Sequence, residues 1–157
     1  MAALDVAAAI QNLKTTLAGL SAWQTVCCVD NATEAADRIY EGGTEEGTET
    51  LLPCIFLDIS SLPTNWLANK FTGQLGFEIR VEFPIPEENQ STYSAQFIYA
   101  WQVLSDMLAG INAAVNGSGQ LMANSLTVST KPGRIMEEHS SGRNEWAFIL
   151  ELSNKFI

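Results

Sequence analysis

Residues 73–111 read GQLGFEIRVEFPIPEENQSTYSAQFIYAWQVLSDMLAGI, and the spacing of the apolar residues changes halfway along. In the first part Phe77, Ile79, Val81 and Phe83 alternate with Glu78, Arg80 and Glu82. Period-two alternation marks a strand with one buried and one wet face. Burying the four apolar side chains is worth about 6–12 kcal/mol gross. A slip of one residue would bring Glu78, Arg80 and Glu82 inside, so the register is well fixed. Pro84 and Pro86 end the strand, because proline cannot donate to a ladder. Beyond the polar stretch 87–92, Phe97, Trp101, Leu104, Leu108 and Ile111 recur at steps of four and three. That is one stripe of a helix, read as core, with Gly110 and Asn112 at its end. A strand followed by a helix that must cover a sheet is the unit around which the chain is built.

Upstream, Leu4–Leu20 carries Val6, Ile10, Leu13, Leu17 and Leu20 on one side and reads as a helix. Trp23–Val29 is apolar and β-branched enough for a short strand. Asn31–Tyr40 suits a helical turn or two. Residues 41–50 hold four glutamates with glycines and threonines, a flexible acidic loop by composition. LLPCIFLDI, residues 51–59, reads as a buried strand with Pro53 near its start. The connection 60–72 is long for a hairpin yet keeps Trp66 and Phe71. Downstream, Asn116–Gly119 is a turn. Leu126 and Val128 begin a strand, Lys131-Pro132-Gly133 bulges it, and Arg134–Glu138 continues it. Trp146, Phe148, Leu150 and Leu152 alternate on the strand that pairs back. The expectation is one α+β domain over 1–157, in the order α-β-β-β-α-β-β. Its sheet of four to five strands is antiparallel or mixed, with two main helices on one face.

Composition narrows the functional classes. Eighteen acids against eight bases give a formal net charge of −10 over 157 residues. Nucleic-acid binding needs clustered Lys and Arg, and an anionic membrane would repel such a surface. No apolar run approaches the 18 residues of a membrane span, and the first residues lack the basic and long apolar regions of a signal peptide. Three cysteines, two of them adjacent, make no disulfide framework and suit a reducing cytosol.

No catalytic signature stands out. Cys27, Cys28, Cys54 and His139 are enough for a zinc site in number, but Cys-x-x-Cys spacing is missing, and neighbours on a strand face opposite ways. Buried structural thiols are the plainer reading. His139 is the single histidine, and its company of Ser140, Ser141 and Gly142 reads as a solvated turn rather than part of a triad. The pairs Glu45/Glu46, Glu87/Glu88 and Glu137/Glu138 lack the alternation of a calcium loop. No Walker-type or G-x-S-x-G pattern occurs. Neither a metal nor a cofactor is expected. Trp66, Phe71, Phe156 and Ile157 are apolar residues that the core pattern does not need; they are inward loop anchors or contacts with a partner subunit.

As an ordered set of elements the chain resembles the tail-terminator, or tail-completion, proteins of long-tailed bacteriophages, and shares much of its outline with the neighbouring neck ring proteins. The resemblance rests on the leading helix Leu4–Leu20, LLPCIFLDI, GFEIRVEFP, the helix Tyr93–Ile111 and the closing EWAFILEL. It implies a non-enzymatic virion protein, assembled in the host cytoplasm, whose hexameric ring caps the tail tube and offers a surface for head-tail joining. The implied partners are further copies of the chain, the tail tube protein and a head-tail connector protein, with DNA passing through the ring unbound. In such a ring Trp66, Phe71, Phe156 and Ile157 are candidate interface residues, and Glu41, Glu45, Glu46 and Glu49 face the channel or a partner ring. The rival expectation is a cytosolic α+β ligand-binding or regulatory domain acting as a dimer.

Overall fold

The strand read from Phe77–Phe83 is the middle of a longer one, β4 (Lys70–Pro84), in a computed structural model that describes residues 6–42, 52–61, 65–67, 70–117, 125–138 and 145–156. At 61, 65–67, 70–75, 115–117, 125–138 and 153–156 the description is of the backbone. β4 lies at the centre of a mixed sheet ordered β1-β2-β4-β6-β5, with β1 (Ile39–Glu41), β2 (Cys54–Ser61), β5 (Ser125–Glu138) and β6 (Glu145–Phe156). β1 runs parallel to β2, and every other pairing is antiparallel. The short β3 (Asn65–Leu67) folds back on the start of β4.

The alternation works as expected. Phe77, Ile79, Val81 and Phe83 are buried, and their cross-strand partners Ile59, Leu57 and Ile55 on β2 and Leu152, Leu150, Phe148 and Trp146 on β6 face the same way. Among the described residues four helices cover that face: α1 (Val6–Ala18), α2 (Ser21–Cys27), α3 (Ala32–Ala36) and α4 (Tyr93–Gly117). α1 buries Ala9, Leu13 and Leu17, three residues at a spacing of four. The opposite face carries Asp58, Glu78, Arg80, Glu82 and Glu151, with Tyr40 and Phe56 stacked at 5.8 Å beside them.

The chain is α+β, and the order α-β-β-β-α-β-β holds along the main sheet. Its first strand, however, is Ile39–Glu41. Trp23–Val29 is not a strand but mostly the helix α2. Trp23 and Cys27, four apart, bury one face of α2, and the Trp23 indole N–H donates to the Ala35 carbonyl at 3.1 Å. Helical spacing of the buried pair outweighs the strand propensity of a short apolar run. Asn31 caps α3 by accepting from the Glu34 N–H at 2.9 Å, and the chain then turns into β1.

Two further expectations change. The connection 60–72 is not one loop, since β2 runs to Ser61 and β3 pairs with β4 from Lys70. α4 passes Gly110 and Asn112 and continues to Gly117. Gly110 serves contact rather than termination: a Cβ there would come within 3.2 Å of Leu20 Cδ2, where α2 crosses α4. The register shift near Pro132 does fall where Lys131-Pro132-Gly133 predicts a bulge.

Candidate interaction surface

α4 starts at Thr92, whose hydroxyl oxygen accepts from the Ala95 N–H at 3.1 Å, a cap that fixes the phase of the helix. In that phase Gln96, Ala100, Val103, Leu104, Met107 and Ile111 point to the sheet. Phe97 and Trp101 do not belong to the core stripe. Both are 43% exposed, and with Tyr93 at 60% and Ile98 at 64% they form the set of large apolar side chains exposed among the described residues.

These side chains make a continuous surface. Tyr93, Phe97 and Trp101 follow at steps of four, with ring centroids 6.4 Å and 6.1 Å apart. Beneath them lies Trp146 of β6, 2% exposed, with its ring 5.7 Å from Tyr93 and 6.1 Å from Phe97. Gln96 is the buried hinge of the arrangement: its Oε1 accepts from the Trp146 indole N–H at 3.4 Å, and its Nε2 donates to the Gln90 carbonyl at 3.4 Å. The row is thus held from below by a core tryptophan, while its upper half meets water. The four side chains leave roughly 400 Å² of apolar surface open, the size of the largest apolar patch on a typical monomer, which is often functional.

The other flank of α4 borders a groove of about 660 Å³ against α2, lined by Leu20, Ala22, Val26, Tyr99, Val103 and Asp106 among others. Burial raises the Tyr99 phenol pKa, with Cys28 and Glu88 adding to the shift. A small apolar recess of about 100 Å³ opens at the far end of the sheet, beside Glu41 and Gly42, over Ile10, Leu57, Ile59 and Phe77.

The residues singled out from sequence are scattered. Trp66 and Phe71 occupy one antiparallel rung of β3 and β4. Phe156 stands on β6 opposite Gly73 and Ser125, and Ile157 lies outside the described residues. Glu41 is not in the acidic loop; it ends β1 and pairs with Lys14 of α1 at 3.0 Å. Glu45, Glu46 and Glu49 lie outside the described residues, as does His139. The three cysteines do not converge. Cys27 is in the helical core, Cys28 is exposed in a left-handed cap with φ of 56°, and Cys54 sits on the opposite face of the sheet beside Glu82. Burial pushes the Cys27 thiol up to about 11; burial and the Glu82 carboxylate push Cys54 up to about 12. Among the described residues no three His, Cys, Asp or Glu side chains are placed to hold a metal ion. No described helix is long and apolar enough to cross a membrane.

The aromatic row was hidden in the sequence because α4 is apolar on more than one side. A single period through Phe97, Trp101 and Leu104 mixes the exposed and the buried stripes. The available signal was an excess: Tyr93, Phe97, Ile98, Tyr99 and Trp101 are more bulk than one face can bury. Compared with protein-family models and with curated proteins, the chain gives no match.

Proposed function

We propose that this chain is a structural virion subunit of the tail-terminator type, closing as a hexameric ring on a phage tail tube and offering the surface to which the head joins. The observation that carries the reading is the aromatic row of α4. It is a pre-formed apolar surface, braced by a buried tryptophan. Such a surface binds macromolecules rather than transforming small ones. The α+β layer order and the acidic charge of −10 support it, since a ring through which DNA slides must not hold phosphate.

In this reading copies of the chain, the tube protein and a connector protein are the partners. Glu45, Glu46 and Glu49 face the channel or a neighbouring ring, and Trp66, Phe71, Phe156 and Ile157 lie on the docking faces. The protein assembles in the host cytoplasm, ends in the virion and has no enzymatic role. In a virus encoding this chain, a stop codon at Trp23 is expected to leave heads and tails unjoined in electron micrographs. Joined, infectious particles at normal yield would contradict the reading.

A second reading has a specific observation in its favour. The 660 Å³ groove between α2 and α4 falls within the usual volume of small-molecule sites, and its lining sets Ser21, Thr25, Tyr99, Gln102 and Asp106 among apolar residues. A dimeric ligand-binding domain would use that groove. Saturable binding of a small metabolite by a stable dimer would favour it.

A further inference from the structure

The sheet has two unlike ends. At one end lies β5, which pairs with β6 on one side; among the described residues no strand pairs with its other edge. Its 14 residues make an edge roughly 46 Å long, a template for association unless something covers it. The flank of α4 that bears the aromatic row lies toward this end, because Tyr93 and Phe97 rest on Trp146, which is in register with Glu137 of β5. The hairpin carries no net charge. Residues 125–157 hold four of the eight cations, Lys131, Arg134, Arg143 and Lys155, against four acids.

The other end is acidic. Around α3 and β1, Asp30, Glu34, Asp37 and Glu41 are exposed within twelve residues. The two cations of that region are occupied: Lys14 pairs with Glu41, and Arg38 donates to the Leu52 carbonyl. The apolar recess beside Gly42 opens here as well, large enough to seat an aliphatic side chain.

We infer that the β5 edge and the aromatic row of one copy dock against the acidic α3–β1 end of the next. The inference rests on the ring reading and names the surfaces that close it. Three observations select a second copy as the occupant. Two acidic ends of a chain with charge −10 repel, as do two copies of any acidic face, whereas the neutral end with Lys131 and Arg134 complements the acidic one. The roughly 400 Å² of the aromatic row together with Ile98 is half of the roughly 800 Å² each partner gives to a stable contact, and the β5 edge supplies surface for the rest. The two patches lie at opposite ends of the sheet order, four strand spacings or about 19 Å apart, so each copy can use both at once. That is the head-to-tail arrangement a closed ring requires.

The test is a complementary charge exchange. One variant carries Lys131→Glu and Arg134→Glu; a second carries Glu34→Lys and Asp37→Lys. Each alone, confirmed folded by circular dichroism, is expected to assemble at least tenfold more weakly than the wild type at low salt. Mixed in equal amounts, they should regain assembly, because copies alternating around an even-numbered ring restore every contact. In the assembled wild type, a zero-length carbodiimide cross-link is expected between Lys131 and Glu34 or Asp37; their separation across the sheet excludes such a bond within one chain. This second readout stands even if a variant fails to fold. Wild-type assembly without that cross-link, or variants that assemble normally, or a mixture no better than its components, would overturn the inference and leave the ring reading in place. A wild type that never associates would overturn both.

Discussion

Ile98→Glu separates a binding surface from a core more cleanly than any other single change. Ile98 is 64% exposed on the outer side of α4, so most of its side chain contributes nothing to folding of the subunit. Glutamate is at least as good a helix former as isoleucine, which recovers a few tenths of a kcal/mol. The remaining third of buried surface costs up to about 1 kcal/mol, the smaller part of the roughly 1.5–3 kcal/mol for a fully buried isoleucine. For a chain of this length that moves Tm by at most about 4 °C. In a contact between copies the exposed part is what gets buried. Losing it costs roughly 1–2 kcal/mol per contact, or about five- to thirtyfold in Kd, and burying a carboxylate adds to that. Differential scanning fluorimetry and sedimentation velocity on the same sample read both quantities. Loss of assembly with Tm nearly unchanged is expected. A fall of 10 °C or more in Tm, or assembly at wild-type strength, would refute the assignment of α4's outer face to an interface.

Other expectations follow from the same geometry. Trp146→Ala removes the buried brace of the aromatic row and should cost about 3–5 kcal/mol of folding stability, seen as a large fall in Tm. Phe77→Asp should be at least as damaging, because it places an unpaired charge in the core next to Leu152 and Ile59; chemical denaturation measures it. At pH 8, dithionitrobenzoate should label Cys28 quickly and reach Cys27 and Cys54 only on unfolding, since burial keeps the latter two thiols protonated. The same burial sets a pH dependence. The folded-state pKa of Cys54 lies above its ordinary 9.0, so the unfolded chain loses its proton first and stability falls as pH climbs from about 9 toward about 12. Cys54→Ala should flatten that part of a stability-against-pH curve. Replacing Glu41, Glu45, Glu46 and Glu49 by glutamine should leave Tm within a few degrees, because the half-exposed Lys14–Glu41 pair is worth at most about 1 kcal/mol, while particle assembly or DNA passage changes.

Much of the fold was legible because its signals are local and strong. The alternation of β4 and β6 has one register that buries Phe77, Phe83 and Phe148 and puts Glu78, Arg80, Glu82 and Glu151 on the opposite face, and the structure uses it. The Pro132 bulge was legible for the same reason: proline acts on the backbone beside it. Trp23–Val29 was not legible, because a seven-residue, mostly apolar run does not distinguish helix from strand. The deciding interaction, the Trp23 indole on the Ala35 carbonyl, comes from another element. The helical reach of α4 past Gly110 depended on Leu20 packing there, again a contact between elements. The interaction surface was the least legible part. Phe97 and Trp101 fit a buried stripe as well as an exposed one, and only the position of Trp146 beneath them determines which stripe faces the sheet. Exposure of an aromatic is a property of the assembled layers, not of its spacing along the chain.

The central claim is that this chain closes a ring with copies of itself. Native mass spectrometry of the purified wild type, over a range of concentrations, tests it most directly. The account predicts a discrete species of six subunits, six times 17.1 kDa or about 103 kDa, with no open-ended series of larger forms. A chain that stays a monomer or a dimer at the highest concentration, alone and in assembled particles, would contradict it.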